Sequence, residues 1–309
     1  MSASFIRCRG REAGLRLRRL TSRDVPLLRK SLRQDPHVLS GFSLVTLLLW
    51  RPFFDIRWAR VRGALCLFYD GAAGRFMPVP PLGESDAATL EMCRQAMAAV
   101  NADSPVSRIE NLAEQDLDLF RKLGWRIYEK GPEYVVGRSD AAFLRGERLK
   151  HRRNLYNRFA RTVSASARGY RPQDRRGVLA LYRRWALERR SACDDSAYRR
   201  MLEESLRALE YMLGHLFGSG IVANVVEADG AIAAFTSGDY ISPDVFCVHF
   251  EIADRRYPGA AQFIATQLAR TLTCRLINTM DDAGLPNLRK SKLLMKPVMM
   301  PMSYCAAPV

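Results

Sequence analysis

Two side chains that can exchange protons lie two residues apart, at His249 and Glu251. They close an alternating stretch, residues 245–251, that predicts a β-strand, so we expect both on one face of it. A histidine and a carboxylate at a strand end can act as base towards an amine or a hydroxyl. A structural hydrogen-bonded pair that fixes the strand edge is the alternative. Cys247 falls on the same predicted face, and we interpret it as a small buried residue rather than a nucleophile.

The helix predicted after this strand begins with a candidate anion site. Arg256, Gly259 and Ala261 form an R-x-x-G-x-A run at its start. Unpaired backbone N–H groups and the helix dipole favour a phosphate at such a position. We therefore predict that these three residues bind the phosphates of an acyl donor. Because three fixed positions in six match often by chance, an ordinary first helical turn is the alternative.

Residues 278–297 combine adjacent acids, a glycine turn and clustered cations, and they are predicted to form a loop. Asp282 joins His249 and Glu251 as a catalytic candidate. The predicted donor-phosphate ligands in this segment are Arg289, Lys290 and Lys292. The residues predicted to orient the acceptor are Asn278 and Asp281. A solvated surface loop whose charges cancel is the alternative.

A basic helix is predicted over residues 141–161, with Tyr156 among its cations. Such a surface suits the phosphates of tRNA or of anionic lipid headgroups. The residues predicted to contact them are Arg148, Arg152, Arg153 and Arg158. The alternative is an amphipathic surface helix packed through Leu144, Leu155 and Phe159. The net charge of +16 favours the phosphate-binding interpretation.

The elements that must position these residues are those of a mixed α/β protein. Three strands are predicted at 221–227, 231–240 and 245–251, separated by turns at Asp229-Gly230 and Ser242-Pro243-Asp244. A helix over 259–274 and a short strand at 276–278 follow. In the first half, strands and helices also alternate, with a hairpin predicted at Arg62-Gly63.

A strand meander followed by a glycine-opened helix and another strand resembles the core order of GNAT acyltransferases. The two α/β halves therefore suggest two tandem GNAT-like domains, each a mixed central sheet flanked by helices. We expect a degenerate N-terminal GNAT-like domain over residues 1–138. A C-terminal GNAT-like domain over 139–309 is expected to carry the active site.

Residues 248–297 resemble the signature of the phosphatidylglycerol lysyltransferase C-terminal domain family. The matching residues are Glu251, Ala253, Gly259, Gln262, Asn278, Asp282, Gly284, Leu288, Arg289, Lys292 and Pro297. The family's usual Arg-Glu pair is replaced by Thr279 and Met280, and a usual glycine by Asn287, which leaves the substrate open. Residues 152–159 resemble a family helix, and Trp185 fits a tryptophan of the next one. In the N-terminal half, Phe42-Ser43 with Trp50, and residues 80–83, resemble two further family stretches, so the resemblance spans most of the chain.

The resemblance implies an acyltransferase that moves an aminoacyl group from aminoacyl-tRNA to an amine or hydroxyl, on a lipid headgroup or a small molecule. The expected partners are tRNA or anionic phospholipid headgroups, not DNA, and no cofactor is expected to be tightly bound. An acyl-CoA-dependent N-acyltransferase is the enzymatic alternative, supported by the R-x-x-G-x-A run. A non-catalytic RNA- or anionic-membrane-binding module is the alternative from another class, supported by the change at Thr279-Met280.

Composition and patterning limit the compartment. The apolar run at 38–50 is interrupted by serine, glycine and threonine and falls short of the roughly 20 residues of a membrane span. The arginine-rich N-terminus lacks the apolar stretch of a signal peptide. Seven cysteines and four histidines are scattered, which fits neither a disulfide framework nor a metal site. We therefore expect a cytoplasmic protein without a metal, able to act peripherally at the inner face of the membrane.

Overall fold

The computed structural model describes residues 15–34, 37–102, 104–191 and 195–309, which form two compact units. Unit 1 contains residues 15–34, Phe53–Tyr128 and Tyr304–Val309. Unit 2 contains residues 37–52 and Glu129–Ser303. Both units are discontinuous in sequence, whereas the boundary expected at residue 138 is contiguous. The division into two GNAT-like domains at residue 138 stays a prediction.

The described residues contain helices and strands in alternating groups. The helices are α1 (Val25–Gln34), α2 (Leu44–Leu49), α3 (Ala87–Asn101), α4 (Leu117–Lys122), α5 (Arg138–Phe143), α6 (Lys150–Thr162), α7 (Arg175–Ser191), α8 (Ser196–His215), α9 (Ala260–Thr271) and α10 (Pro286–Leu294). The strands are β1 (Arg18–Arg19), β2 (Asp55–Val61), β3 (Ala64–Gly71), β4 (Gly74–Phe76), β5 (Ile109–Leu112), β6 (Arg126–Pro132), β7 (Val135–Gly137), β8 (Ala165–Gly169), β9 (Val222–Ala228), β10 (Ala231–Ser242), β11 (Val245–Ala253), β12 (Leu276–Asn278) and β13 (Met302–Ala307).

Unit 1 contains a four-stranded sheet in the order β1-β2-β3-β4, and β5-β13-β6 form a three-stranded sheet. The β2–β3 hairpin turns at Arg62 and Gly63, where φ is 50° and 98°. Positive φ at both central residues is the geometry that a two-residue hairpin needs. The predicted hairpin is therefore confirmed. Phe68, Met77 and Leu90 belong to the buried core of this unit.

Unit 2 contains a six-stranded sheet in the order β7-β12-β11-β10-β9-β8. Its neighbours pair antiparallel, except that β11 and β12 run parallel. The β9–β10 turn at Asp229 and Gly230 also has positive φ at both positions. The predicted three-strand meander, the following helix and the short strand are confirmed, with ends that differ by up to three residues.

Helices cover both faces of the unit 2 sheet. On one face α6 and α9 enclose a core with Val226 and Ala234, and α5 joins α9 beside Val248. On the other face α7 packs Gly177 against Ile232, and Met212 of α8 accepts a hydrogen bond from Ser237. The sheet is therefore buried on both sides, as its long apolar strands require. We call these the α9 face and the α8 face.

These elements correct two sequence predictions and add one strand that was not predicted. One continuous basic helix over 141–161 is wrong, because Leu144 (φ 51°) and Gly146 (φ 80°) break the chain between α5 and α6. The loop predicted over 278–297 contains the helix α10, which starts at Pro286, a residue suited to a first helical turn. The strand β13 was absent from the sequence interpretation.

Candidate active site

A cleft opens in unit 2 where the parallel strands diverge. Val245, Phe246 and Cys247 of β11 lie opposite Leu276, Ile277 and Asn278 of β12. Beyond this register β12 ends, whereas β11 continues to Ala253. The cleft is partly open to solvent. It is lined by Val136, Asp140, Ala141, Leu149, Arg152, Val248, Glu251, Ala265, Leu268, Ile277, Thr279 and Met295.

Glu251 places a carboxyl group in this largely apolar cleft, together with the guanidinium of Arg152. Burial raises the pKa of Glu251, and the charges of Arg152 and Lys292 offset part of that shift. Burial lowers the pKa of Arg152, and Glu251 opposes this. A carboxyl in a cleft whose pKa is raised by desolvation has the properties of a catalytic base. The predicted surface role of Arg152 is therefore corrected, since its side chain lines the cleft.

Lys292 reaches the margin of the cleft from α10. Its Nζ donates hydrogen bonds to the carbonyl oxygens of Thr279 and Met280. Burial lowers the pKa of Lys292, and the charges of Asp281 and Glu251 oppose that shift. An ammonium group has three N–H donors, so one is left for a substrate oxygen. The predicted phosphate-binding role of Lys292 is compatible with this position and stays a prediction.

His249 lies on the other side of the sheet from Glu251. The β10–β11 ladder is irregular between Ser237 and Gly238, which lie opposite Phe250 and Val248, so His249 is the extra residue of a β-bulge. The bulge shifts the alternation by one residue: Glu251 shares the α9 face with Val248, while His249 contacts Asp239. The prediction that His249 and Glu251 share a face is therefore wrong.

The His249 ring belongs to a closed hydrogen-bonded cluster on the α8 face. Nε2 lies 2.6 Å from Oδ1 of Asp239, which also accepts a 2.6 Å hydrogen bond from the Ser43 hydroxyl. Nδ1 lies 3.4 Å from the Thr46 hydroxyl and 3.8 Å from the Cys247 thiol. The His249 side chain is only 1% exposed. Burial raises the pKa of the Cys247 thiol, which favours its interpretation as a structural residue.

Asn278 ties the end of β12 to the stretch that precedes α2. Its Nδ2 donates to the Val38 carbonyl at 2.6 Å and to Oε2 of Glu133 at 2.5 Å. Its Oδ1 accepts from the Met280 N–H at 2.6 Å. Ser40 donates two further hydrogen bonds to Glu133, from its backbone and its hydroxyl. Asn278 thus has no N–H left for an acceptor, and it positions the strand end instead of the substrate.

The two adjacent acids differ in their surroundings. Asp282 is buried, accepts a 2.6 Å hydrogen bond from the Tyr134 hydroxyl and accepts another from the Gly284 N–H. Burial and this hydrogen bond raise the pKa of Tyr134 to about 12. Asp282 is not among the side chains that line the cleft. Asp281 accepts a hydrogen bond from the Ala283 N–H. Its charge acts to raise the pKa of Lys292, against the effect of burial.

The first turn of α9 is packed rather than open. Gly259 has φ 96°, and a Cβ added there would lie 2.2 Å from the Leu155 carbonyl oxygen of α6. The glycine is therefore required by the close approach of two helices. Arg256 forms an ion pair with the buried carboxylate of Asp254 at 2.7 Å. The donor-phosphate role of Arg256, Gly259 and Ala261 stays a prediction. The packing of α9 against α6 is by itself sufficient to explain why residue 259 is a glycine.

None of the remaining predicted cations lines the cleft, although Arg148 contacts Asp140, which does. Arg148 forms an ion pair with Asp140, and Arg153 donates to the carbonyls of Leu144 and Gly146. The exposed side chains are Arg158, Arg289 and Lys290. Of the predicted site residues, the structure therefore brings Glu251, Arg152 and Lys292 together.

Several residues of these networks were missed by the sequence interpretation. They are Ser40, Ser43, Thr46, Glu133, Tyr134 and Asp239. The only local signal was Ser43, which caps α2 by accepting from the Thr46 N–H at 3.0 Å. Asp239 and Glu133 occur in ordinary strand or turn sequence, and their partners lie far away along the chain.

Two features are absent from the part of the chain that the structure describes. In residues 15–34, 37–102, 104–191 and 195–309, no group of three or more His, Cys, Asp or Glu side chains is placed to hold a metal ion. Among the helices of the same residues, none combines the length and the apolar character needed to cross a bilayer.

The mixed sheet with helices on both faces defines the class: the chain has the mixed α/β fold of GNAT-like and FemX-like proteins. The family model described as phosphatidylglycerol lysyltransferase, C-terminal, matches residues 34–307. The chain belongs to this family, which together with the fold indicates an acyl or aminoacyl transferase of that type. No curated protein sequence matches the chain significantly.

Solved structures share this fold over nearly the whole chain. A protein of unknown function from Bacteroides thetaiotaomicron VPI-5482 is 24% identical, with a TM-score of 0.83, and the match covers 94% of this chain and 99% of that one. L-PGS from Bacillus licheniformis is 15% identical, with a TM-score of 0.63 and coverages of 94% and 92%. FemX is 8% identical, with a TM-score of 0.59 and coverages of 96% and 98%. At these identities the likeness is one of fold.

Proposed function

We propose that the chain transfers an aminoacyl group from aminoacyl-tRNA to an amine or hydroxyl acceptor, with Glu251 as the catalytic base. The observation that carries the proposal is the Glu251 carboxyl, of raised pKa, in the apolar cleft between β11 and β12. Arg152 and Lys292 favour its ionised form, which is the form that accepts a proton. Membership of the lysyltransferase family supports the reaction class.

In the proposed step, the acceptor oxygen or nitrogen attacks the carbonyl carbon of the aminoacyl ester while its proton passes to Glu251. The new bond to carbon forms as the bond to the terminal ribose oxygen of the tRNA breaks, and that oxygen takes up a proton. Beyond Cys247, β11 is no longer paired with β12. Backbone N–H groups on this free edge stabilise the negative charge that develops on the carbonyl oxygen.

The packing of α9 favours aminoacyl-tRNA over acyl-CoA as the donor. A pyrophosphate bound by the first turn of α9 needs that turn to be open, whereas Leu155 of α6 lies against Gly259. Arg256 is already paired with Asp254. Arg158 is exposed on α6 and suits a phosphate of the tRNA backbone. The acceptor is an amine or hydroxyl on a lipid headgroup or on a small molecule.

The test is a transfer assay with the purified chain, bulk labelled aminoacyl-tRNA, and both polar lipids and soluble amines as acceptors. We expect label to move from tRNA to an acceptor, and Glu251→Gln to slow this at least about 100-fold. Glu203→Gln, at an exposed carboxylate on α8, is the matched control and should keep the rate. Acetyl-CoA and longer acyl-CoA donors are run in parallel.

Two outcomes contradict the proposal. Transfer from acyl-CoA without transfer from aminoacyl-tRNA assigns the chain to the acyl-CoA-dependent acyltransferases. Transfer from neither donor, with tRNA or anionic vesicles still bound, identifies a non-catalytic binding module.

A further inference from the structure

The break between α5 and α6 forms a loop at the edge of the cleft. Asp140 and Ala141, just before this loop, line the cleft. Leu149 and Arg152, just after it, line the cleft as well. The chain between them therefore runs along the edge of the candidate active site. We call residues 143–148 the rim loop.

The rim loop presents an aromatic ring beside a cation. Phe143 is 50% exposed. Cζ of Arg145 lies over the Phe143 ring, 5.0 Å from its centroid. A single exposed apolar residue is ordinary on a protein surface. An exposed ring accompanied by an arginine at the edge of a cleft is, however, the combination on which unpaired nucleobases stack.

The rim loop is held in this shape by cations that bind its carbonyl groups. Arg153 of α6 donates hydrogen bonds to the carbonyls of Leu144 and Gly146, at 2.7 and 2.9 Å. Arg270 of α9 donates to the carbonyl of Ala142 at 3.0 Å. Leu144 is buried, and its φ of 51° is uncommon for a residue with a side chain. The aromatic ring is therefore presented on a fixed backbone, so a ligand orders little of the chain when it binds.

The charges of the rim loop indicate the chemistry of its ligand. Arg148 pairs with Asp140, and Lys150 pairs with Glu147 at 3.4 Å, so these two cations are partly neutralised. Arg145 is exposed. Stacking on a ring uses none of the guanidinium N–H donors, so Arg145 can bind a phosphate while it covers the ring. An unpaired nucleic-acid strand offers both groups at once, a base for the ring and a phosphate for the cation.

We infer that Phe143 is a stacking site for an unpaired base at the 3′ end of the tRNA donor, with Arg145 binding a neighbouring phosphate. This inference rests on the proposed function, which makes aminoacyl-tRNA the donor. The paired stem of a tRNA cannot bind in this way, because neighbouring base pairs cover the faces of its bases. The aminoacyl ester is carried by the last ribose of the unpaired end. A base stacked on the rim loop therefore directs the ester into the cleft that contains Glu251.

The experiment measures binding of the full chain to an RNA hairpin with an unpaired ACCA 3′ end, by fluorescence anisotropy of a label in the hairpin loop. We expect Phe143→Ala to weaken binding about tenfold, whereas Phe143→Trp, which keeps an aromatic ring, should bind at least as well as the parent chain. Leu187→Ala, at a leucine that is 67% exposed on α7, is the matched apolar control and should leave binding unchanged.

The salt dependence of binding separates the two contacts. Arg145→Gln should weaken binding and reduce the slope of log K against log salt concentration by about 0.7–1, because one phosphate contact is lost. Phe143→Ala should leave that slope unchanged, because stacking releases no counterion. A slope that Arg145→Gln does not change would overturn the phosphate contact.

Abasic nucleotides locate the stacked base. Each unpaired nucleotide of the hairpin is replaced in turn by an abasic one. At one position, loss of the base should weaken binding to the parent chain about tenfold and have little further effect on Phe143→Ala, because both changes remove the same contact. Additive losses at every position would overturn the inference, since no base would then be coupled to Phe143.

Transfer from aminoacyl-tRNA to hydroxylamine, corrected for the uncatalysed reaction, separates this inference from the proposed function. Phe143→Ala should raise KM for aminoacyl-tRNA and keep kcat, whereas Glu251→Gln should lower kcat. A parent chain that catalyses transfer, with Phe143→Ala unchanged in KM and in RNA binding, overturns the inference and leaves the function standing. Coupled RNA binding without catalysed transfer supports the stacking site and contradicts the function.

Two further readouts identify other occupants of the rim loop. A parent chain that forms dimers in sedimentation analysis, which Phe143→Ala converts to monomers, would overturn the inference in favour of a second copy. Loss of binding to anionic vesicles in Phe143→Ala, with RNA binding unchanged, would overturn it in favour of a bilayer. Each variant's melting temperature is measured first, so that unfolding is not mistaken for lost binding.

Discussion

Glu251 and His249 are two residues apart on one strand, and they lie in opposite environments. Glu251 faces the cleft, with its charge balanced at a distance by Arg152 and Lys292. His249 is enclosed and hydrogen-bonded to Asp239, which also binds Ser43. A group whose hydrogen bonds are already made stabilises the fold, whereas a desolvated group in an open cleft is available to a substrate. Under the proposed function, the α9 face carries the chemistry and the α8 face contributes stability.

The largest effect that can test this comparison is on the rate of transfer. Glu251→Gln keeps the shape of the side chain and removes the base, so we expect transfer to slow by about 10²–10⁴. Burial raises the pKa of Glu251 in the folded protein above its value in the unfolded chain. The contribution of this carboxyl to stability is therefore fully present below the unfolded pKa, and it is lost as the pH rises through the folded pKa. The variant should therefore gain stability relative to the parent as pH increases. Rate assays and urea unfolding at several pH values measure both effects.

Asp239→Asn should change stability and not the chemical step. The substitution weakens the hydrogen bonds to Ser43 and His249 in a buried cluster, at a cost of about 3 kcal/mol in the free energy of unfolding. Urea unfolding measures this, and kcat is measured at a temperature where the variant is folded. A loss of kcat as large as that of Glu251→Gln, with stability unchanged, would reverse the two assignments.

Gly259→Ala tests whether the start of α9 is a packed helix contact. The added Cβ meets the Leu155 carbonyl at 2.2 Å and φ is 96°, so we expect a loss of about 2 kcal/mol in unfolding free energy. Gly218→Ala is the control, because no atom lies within 4 Å of its added Cβ. A variant as stable as the parent that has lost transfer from its donor would point to a phosphate site at this turn.

The smallest effect concerns the pH dependence of transfer. Arg152 favours the ionised form of Glu251, so Arg152→Gln should raise the pKa of that carboxyl further. Since the base acts as a carboxylate, the acid limb of the kcat–pH profile should move to higher pH. Arg176→Gln, at an exposed arginine on α7, should leave the limb in place. An unmoved limb in Arg152→Gln would mean that another group titrates.

The sequence predicted the parts of the fold that depend on local patterns. Asp229-Gly230 predicted a hairpin because only certain residues accept positive φ at both turn positions. The position of Glu251 beside Arg152 combines residues about a hundred positions apart, and no local pattern contains it. The face of His249 was predicted wrongly because alternation assumes a regular strand, and one extra residue in a bulge reverses it. Ser40 and Ser43 belong to unit 2, although residues 53–128 of unit 1 separate them in sequence from the rest of that unit. Composition does not indicate this arrangement, so their contacts could not be predicted.

The position of β13 between β5 and β6 has a consequence for how the protein is made. The entire six-stranded sheet of unit 2 is synthesised after β6 and before β13. During translation, β5 and β6 therefore wait with unsatisfied strand edges while the later segment folds, and such edges are prone to pair with other chains. The three-stranded sheet can therefore be completed only after every segment upstream of β13 has been synthesised.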